Sequence, residues 1–276
     1  MPLAFVGSSR ESYAGALERL EAGVPNLSAD ELTRVAGDLF AVAGVMHNEG
    51  ALRRALADPA VPRDAKTGLL DSLLGDKLSQ ASLDVLRGVV TSRWSQPRDL
   101  VDAADTLGVI ALLAAAETDG QLDEVEDELF RFGRLLDREP ALQVALGDPS
   151  APADRRLGLV TDLLRERVRP ATLRLVEEAV AAPRGRSLDR ALDDYVRLAA
   201  DRRSRLVAEV WTATPLSAEQ TERLAAGLSR IYGRDMSVQT TVEPSIAGGL
   251  VVRVGDEVID GSIATRLQTV RRQIAG

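Results

Sequence analysis

The stretch EPSIAGGLVVRVGDEVIDGS, residues 243–262, is the part of the chain whose local signals agree best with one another. Pro244 confines the residue before it to an extended conformation and ends the preceding element. Gly248 and Gly249 supply backbone freedom at the entry to an apolar run over residues 250–254. Residues 250–254 are therefore predicted to form a strand that the chain enters through a turn.

A tight turn is predicted directly after this strand, at Gly255 and Asp256. Glycine suits the first central position of a type II′ turn, whose twist matches that of the flanking strands. The resulting hairpin is expected to place Val252 and Val254 opposite Val258.

A closing helix is predicted after the hairpin. Ser262 has the side chain of a helix N-cap residue, and Arg271 and Arg272 lie where cations interact favourably with the helix dipole. The apolar positions recur at helical spacing and are Ile263, Leu267, Val270 and Ile274.

Further elements are predicted between residues 205 and 244. Residues 206–211 form a strand-like apolar run, and Ser217 with Gln220 forms a capping-box pattern that opens a helix. The apolar face of that helix is predicted to comprise Leu224, Leu228 and Ile231. A second strand is predicted from the alternation of Val238, Thr240 and Val242. The C-terminal domain is therefore expected to be α+β, with a small sheet and two helices.

Residues 243–267 resemble the C-terminal signature of the delta subunit of F-type ATP synthase, the counterpart of the mitochondrial oligomycin-sensitivity-conferral protein. The matching residues are Glu243, Pro244, Ser245, Gly248, Gly249, Gly255, Asp256, Asp260, Gly261, Ser262, Arg266 and Leu267. Ala247 departs from the pattern, since a larger aliphatic or a polar residue is expected there. A pattern of this length identifies the family without marking a catalytic site.

Composition and charge exclude several classes of protein. The chain has 276 residues and no cysteine, which rules out disulfides and cysteine-ligated metals. A net charge of −8 does not favour general nucleic-acid binding, which relies on Lys and Arg at phosphates. The apolar stretch 107–116 is too short to cross a bilayer, and residues 1–7 lack the regions of a cleaved signal. We therefore expect a protein that reaches a membrane only through its partners.

An internal repeat relates two parts of the chain before residue 205. The segment DPAVPRDAKTGLL, residues 58–70, aligns with DPSAPADRRLGLV, residues 148–160, at an offset of 90 positions. Upstream, Leu39 and Phe40 correspond to Leu129 and Phe130. Each Asp-Pro segment is predicted to be a turn between helices, because proline removes a backbone donor and restricts its neighbour. A repeat of this length indicates a duplicated subdomain rather than a solenoid unit.

The predicted fold is mainly α, with a duplicated helical-bundle region followed by the small α+β domain. The expected domains are a first helical copy over residues 1–117, a second copy over 118–204 and the C-terminal domain over 205–276. In the first copy, Ser28 and Glu31 form a capping-box pattern. The apolar face of the helix that they open comprises Leu32, Val35, Leu39, Val42 and Met46. Family members normally have a single six-helix N-terminal domain, so the duplication departs from the resemblance.

The residue types do not favour chemistry, and no cofactor, catalytic residue or metal ligand is predicted. His47 is the only histidine, so neither a histidine metal cluster nor a choice of catalytic imidazoles exists. An acidic run at Glu124, Glu126, Asp127 and Glu128 could attract a cation, but acidic residues are also typical of a helix N-terminus. An enzyme that pairs Asp256 with Asp260 is a weaker alternative, because aspartate is locally preferred at turns.

The resemblance implies a mechanical function: delta subunits join the catalytic head of ATP synthase to the peripheral stalk, so that the head does not turn with the rotor. It implies two partners, the alpha subunits of the head and the b-type stalk subunits, at the cytoplasmic face of a bacterial membrane. In the family, a groove on the helical domain receives the N-terminal segments of the alpha subunits. We expect that groove in the first copy, at Tyr13, Ala14, Leu17, Leu83, Leu86 and Val90. A free-standing helical adaptor with unrelated partners remains the alternative.

Overall fold

The computed structural model describes residues 5–148, 150–204, 207–232, 236–244, 246, 248–255 and 257–261. Within these residues the chain is mainly helical, with a small mixed sheet near the C-terminus, which confirms the predicted fold class. The chain divides into two compact units, Met1–Ala199 and Ala200–Gly276. The boundaries of the two helical copies, 1–117 and 118–204, stay predictions.

The first unit is built from helices joined by short turns. The helices are α1 Ser8–Gly23, α2 Ala29–Asn48, α3 Gly50–Ala57, α4 Arg63–Leu74, α5 Gln80–Thr91, α6 Pro97–Thr118, α7 Leu122–Arg138, α8 Pro140–Gly147, α9 Ala153–Leu164, α10 Pro170–Ala181 and α11 Leu188–Ser204. A short 3-10 turn, Val24–Asn26, connects α1 to α2. Helix α11 begins in the first unit and ends in the second.

The capping box predicted at the start of α2 is present. The backbone N–H of Glu31 donates to Ser28 Oγ at 3.3 Å, and the backbone N–H of Ser28 donates to Glu31 Oε2 at 2.8 Å. The predicted apolar face is buried at all five positions, which are Leu32, Val35, Leu39, Val42 and Met46. The local signal and the packing of α2 therefore agree.

The duplication predicted from the sequence is visible in the helices themselves. Helices α3, α4 and α5 begin and end 90 positions before α8, α9 and α10, respectively. The Asp-Pro segments occupy the same place in both copies, between α3 and α4 and between α8 and α9. In both turns the aspartate side chain accepts a backbone N–H two residues on: Asp58 from Ala60 and Asp148 from Ser150, each at 2.8 Å.

A hydrogen-bonding arrangement between helices is also repeated. The carboxylate of Asp38 on α2 accepts the backbone N–H of Ser79 at 3.0 Å and the hydroxyl of Ser82 at 2.6 Å, at the start of α5. The carboxylate of Glu128 on α7 accepts the backbone N–H of Arg169 at 2.8 Å and the hydroxyl of Thr172 at 2.6 Å, at the start of α10. Each carboxylate thus satisfies an otherwise unpaired N–H of a helix N-terminus.

Helix α6 is the central helix of the first unit. Every residue from Leu100 to Ala116 except Asp102 is buried. The helix packs against α1, α2, α3 and α5, and also against α7 and α10. Helix α6 follows α5 and is therefore the last helix of the first copy. It also stands before α7 as α1 stands before α2, so it is the first helix of the second copy. The apolar stretch 107–116 lies within it and forms core.

In the second unit, the described residues form a sheet with a helix packed on it. The strands are β1 Val207–Thr212, β2 Ser237–Val242, β3 Leu250–Val254 and β4 Glu257–Asp260, and the helix is α12 Ala218–Tyr232. The strand order is β2-β1-β3-β4, with β1 parallel to β2 and antiparallel to β3, and β3 antiparallel to β4. The core consists of Ala208, Val210, Leu228, Met236, Val252 and Val254.

Two local predictions in this unit are wrong. Val258 pairs with Arg253, while Val252 pairs with Ile259, because the short turn that pairs Val254 with Glu257 fixes this register. Ile231 of α12 is 72% exposed. Its neighbour Tyr232 packs on the core together with Leu224, because position 232, eight residues after 224, returns to the same face of the helix.

The described residues of the family signature occupy the turns and ends of the sheet. Gly248, Gly249 and Gly255 have φ of 101°, 85° and 57°, values that favour glycine. The backbone N–H of Glu243 donates to the carbonyl of Thr212 at 2.8 Å, and that of Gly261 to the carbonyl of Leu250 at 3.0 Å. Ser245, Asp256, Ser262, Arg266 and Leu267 lie outside the described residues, as does the predicted closing helix.

Candidate partner-binding groove

An open groove lies in the first copy where the C-terminal half of α1 meets α5. It encloses about 560 Å³. The lining residues are Arg19, Leu20, Ala22, Gly23, Asn26, Leu27, Val35, Ala81, Asp84, Val85 and Arg87. Aliphatic side chains predominate, and charged groups come only from the helix edges. An apolar groove with charged edges is suited to an amphipathic helix.

The two helices approach closely along one side of the groove. A Cβ added to Gly88 on α5 would lie 2.8 Å from Cδ of Arg19, so the aliphatic part of Arg19 covers this glycine. On the α5 edge, Arg87 forms ion pairs with Asp71 at 3.0 Å and Asp84 at 3.2 Å. These pairs hold the charged edge of α5 in place beside the apolar floor.

The six predicted contact residues lie on α1 and α5, and the structure packs these helices against each other. Their exposure differs. Tyr13, Leu83, Leu86 and Val90 are buried within the helical unit, whereas Leu17 is partly exposed and Ala14 is exposed. The buried four stabilise the pair of helices. The role of all six in partner binding stays a prediction.

Several groove residues were not singled out from the sequence. Leu27 is the residue before the N-cap of α2, and it packs against the cluster that contains Leu32. An apolar residue at this position often contacts the fifth residue after it, an arrangement called a hydrophobic staple. That rule could have located Leu27. Val35 and Val85 belong to helices with several apolar rows, so their placement at the groove depends on tertiary packing.

In the second copy, the helix face that corresponds to the α1 wall of the groove is covered by the protein's own helices. The counterparts of α1 and α5 are α6 and α10, which pack against each other. Helix α6 is covered by helices of both copies. Arg19 and Ala22 of α1 line the groove and are exposed, whereas the corresponding residues of α6, Val109 and Leu112, are buried.

A buried group of charges joins the two copies. Asp105 of α6 accepts hydrogen bonds from both Arg184 and Arg186, which lie in the turn between α10 and α11. Arg184 also pairs with Glu178 at 2.9 Å. Burial raises the pKa of the Glu178 carboxyl, although Arg184 opposes this effect. The raised pKa of Glu178 is thus accounted for by packing and does not indicate a reaction.

The acidic run of α7 makes contacts within the chain. Glu128 binds the start of α10, Asp127 pairs with Arg131 at 2.5 Å, and Glu124 pairs with Arg169 at 3.5 Å. In the part of the chain that the structure describes, no group of three or more acidic or histidine side chains could hold a metal ion. Among the same residues, no helix is long and apolar enough to cross a membrane.

The fold is a helical scaffold with an apolar groove open on its surface. Residues 110–274 match the family model for the ATP synthase delta (OSCP) subunit. The chain is 48% identical over 273 residues to the ATP synthase subunit delta of Parafrankia sp. strain EAN1pec, covering 96% of this chain and 98% of that one. It is 49% identical over 269 residues to the corresponding protein of Streptomyces avermitilis, covering 98% of both. The chain therefore belongs to the ATP synthase delta (OSCP) subunit family.

A solved structure also matches at low similarity. It is a chain in the cryo-EM structure of the Toxoplasma gondii mitochondrial ATP synthase hexamer, with 24% identity and a TM-score of 0.32. The match covers 61% of this chain and 95% of that chain.

Proposed function

We propose that this protein is a non-catalytic peripheral-stalk subunit of the F-type ATP synthase. It joins the alpha subunits of the catalytic head to the b-type stalk and so contributes to proton-driven ATP synthesis. Family membership over nearly the full length supports the assignment to the complex. A joint needs binding surfaces and no reaction, which agrees with a site made of an apolar groove.

The open groove between α1 and α5 is the observation that carries the proposal for the head contact. It offers an apolar floor at Leu20, Leu27 and Val35 to an amphipathic N-terminal segment of an alpha subunit. The corresponding helix pair in the second copy is α6 and α10, and α6 is already covered by the first copy. A partner helix can therefore dock on the first copy without displacing any helix of this chain.

The second copy is the competing location, and one observation favours it. The family model begins at residue 110, inside α6, and so spans the second copy and the C-terminal unit. The matched region thus contains one helical domain followed directly by the C-terminal domain, which is the order expected for the family. We nevertheless propose the first copy, because a surface covered by the protein's own helices cannot receive a partner helix.

The second unit is proposed to bind the C-terminal helices of the b-type stalk subunits. The resemblance in sequence supports this part, and the signature residues of the second unit shape its sheet. Binding through both units places the protein at the cytoplasmic face of the membrane without insertion. The division into copies 1–117 and 118–204 and a C-terminal domain 205–276 is proposed with it.

A blocking substitution tests the head contact better than a deletion. Removing residues 1–22 would expose the surface of α5 and α6 that α1 covers, and the unit would lose core. Ala81 lines the groove and is partly exposed, so Ala81→Trp fills the groove from its edge. Ala171 occupies the same position on α10 and is also partly exposed, which makes Ala171→Trp the matched control.

Each tagged full-length variant is purified from membranes, and the bound alpha and b-type subunits are quantified. We expect Ala81→Trp to lower recovery of alpha subunits roughly tenfold, equivalent to about 1.4 kcal/mol, and to keep the b-type subunits. Ala171→Trp should recover both. Loss of alpha subunits with Ala171→Trp alone would assign the groove to the second copy. If the unmodified chain recovers no ATP synthase subunit, the free-standing adaptor is correct instead.

A further inference from the structure

A second groove lies in the second copy, between α7 and α11. It encloses about 450 Å³ and is separate from the groove between α1 and α5. The lining residues are Leu129, Phe130, Gly133, Arg134, Asp137, Asp189, Leu192, Asp193, Val196 and Arg197. All of them belong to the first unit.

Comparison of the two copies shows what is unusual about this groove. The helices that correspond to α7 and α11 in the first copy are α2 and α6, which pack directly against each other. Phe40 of α2 is 3% exposed and its ring contacts α6 at Gly108. Its counterpart on α7, Phe130, is 55% exposed. The same aromatic residue is thus core in one copy and groove wall in the other.

A glycine in the middle of α7 leaves open space in the wall of the groove. Gly133 lines the groove, and a Cβ added to it would meet no atom within 4 Å. Packing within this chain therefore does not require glycine, although glycine in a helix interior costs about 1 kcal/mol relative to alanine. A partner helix can approach the backbone at this position.

The α11 edge of the groove is acidic. Asp189 and Asp193 lie four residues apart on α11, and in the described part of the chain neither forms an ion pair. Like charges at this spacing oppose helix formation. The arginines at the groove, Arg134 and Arg197, are paired with Asp137 and Asp194. The edge is therefore complementary to a helix that carries lysine or arginine along one side.

We propose that this groove binds an amphipathic helix with a basic edge from another ATP synthase subunit. Its apolar residues, spaced three and four apart, contact Phe130, Leu192 and Val196, and its basic residues pair with Asp189 and Asp193. The inference rests on the proposed function, because the partner is a subunit of the same complex. It gives the second copy a contact of its own, distinct from that of the first.

The absence of cysteine from this chain allows a site-specific test. The purified Phe130→Cys chain is labelled with a maleimide benzophenone and reassembled into ATP synthase, and the crosslinked peptide is identified by mass spectrometry after illumination. Leu73→Cys on α4 is the control, since Leu73 is 47% exposed and lies outside the groove. We expect position 130 to crosslink to a helical segment with a basic edge in a different subunit. No crosslink, or a crosslink to a second copy of this chain, would overturn the proposal.

Blocking variants give an independent readout. Gly133→Trp should lower the crosslink at position 130 by roughly tenfold and leave the chain folded, because the space around Gly133 is open. Gly158→Trp on α9 is the matched control, since its Cβ would also meet nothing within 4 Å. Asp193→Lys should reduce the yield roughly fivefold. If Gly133→Trp and Asp193→Lys gave the same crosslink yield at position 130 as Gly158→Trp, the proposed groove would be contradicted.

These outcomes separate the inference from the proposed function. If the labelled chain purifies with ATP synthase but position 130 forms no crosslink, only the second groove is wrong. If the unmodified chain does not purify with the complex, the proposed function fails and the groove proposal fails with it.

Discussion

At the residue scale, the clearest feature is the buried carboxylate of Asp105, which two arginines share. Removing one member of such a group leaves charge buried without compensation. We expect Asp105→Asn to lower the free energy of unfolding by about 3–5 kcal/mol, because Arg184 and Arg186 lose their common partner. Denaturant unfolding followed by circular dichroism measures this change.

The control is the exposed ion pair between Asp127 and Arg131. Asp127→Asn should cost less than about 1 kcal/mol, because solvent screens the pair. Equal effects of the two substitutions would show that Asp105 contributes no more than a surface charge.

The titration of Glu178 gives a pH-dependent prediction. Its ordinary pKa is 4.5, and burial raises the pKa in the folded state. The folded state therefore holds the proton more tightly than the unfolded state, and this contribution to stability is lost as pH rises from 4.5 through the raised value. Glu178→Gln removes the titration and keeps an acceptor oxygen for Arg184.

We expect the unfolding free energy of the unmodified protein, minus that of Glu178→Gln, to fall as pH is raised across this window. Urea unfolding at constant ionic strength provides both values. A difference that stays constant would mean that the pKa of Glu178 is the same in the folded and unfolded states, and one that increases with pH would mean that folding lowers this pKa.

Single residues also show where sequence information is insufficient. Phe40 and Phe130 occupy equivalent positions of the repeat, yet one is buried and the other is exposed. Leu86 and Val90 were predicted to contact a partner and are fully buried. Helical spacing identifies an apolar row, but whether that row meets another helix of the chain or solvent depends on tertiary packing.

At the element scale, the contact between α2 and α6 depends on a glycine. A Cβ at Gly108 would lie 2.6 Å from the ring of Phe40, closer than packed atoms can approach. Gly108→Ala should therefore destabilise the helical unit by about 1–3 kcal/mol, measured by thermal unfolding. Combining it with Phe40→Leu should recover part of the loss, because the smaller side chain makes room.

Gly68→Ala on α4 is the comparison, since a Cβ there meets no atom within 4 Å. Alanine should stabilise that helix by up to about 1 kcal/mol through helix propensity alone. A stabilising effect of Gly108→Ala would contradict the close packing of α2 and α6.

Much of the arrangement of elements could be predicted from the sequence. The capping boxes at Ser28 and Ser217 and the Asp-Pro turns are local signals, and the structure contains them. The 90-residue offset predicted matching helices because the same local signals recur in both copies. The sequence does not show which helices α6 packs against. That packing depends on contacts far apart in the chain.

The candidate site was predicted less completely than the fold. The sequence placed the expected groove on α1 and α5, and its role in binding a partner stays a prediction. The groove itself lies nearer the C-terminal end of α1, at Leu20, Leu27 and Val35. Its position depends on the turn between α1 and α2, whose geometry no simple periodic pattern specifies.

At the scale of the whole molecule, we propose that the protein is a joint that transmits force without performing a reaction. Family membership, the open first groove and the signature of the second unit support this function. The second groove adds a further contact for the duplicated copy. A protein of this kind should affect the coupling of ATP hydrolysis to proton movement more than hydrolysis itself.

The most direct measurement compares proton pumping with ATP hydrolysis in membrane vesicles that lack this chain and then receive it back. We predict that depleted vesicles hydrolyse ATP without pumping protons. The unmodified protein and Ala171→Trp should restore pumping at the same concentration, whereas Ala81→Trp should need a roughly tenfold higher concentration. Vesicles that pump equally well with and without the chain would contradict its role as the joint between head and stalk.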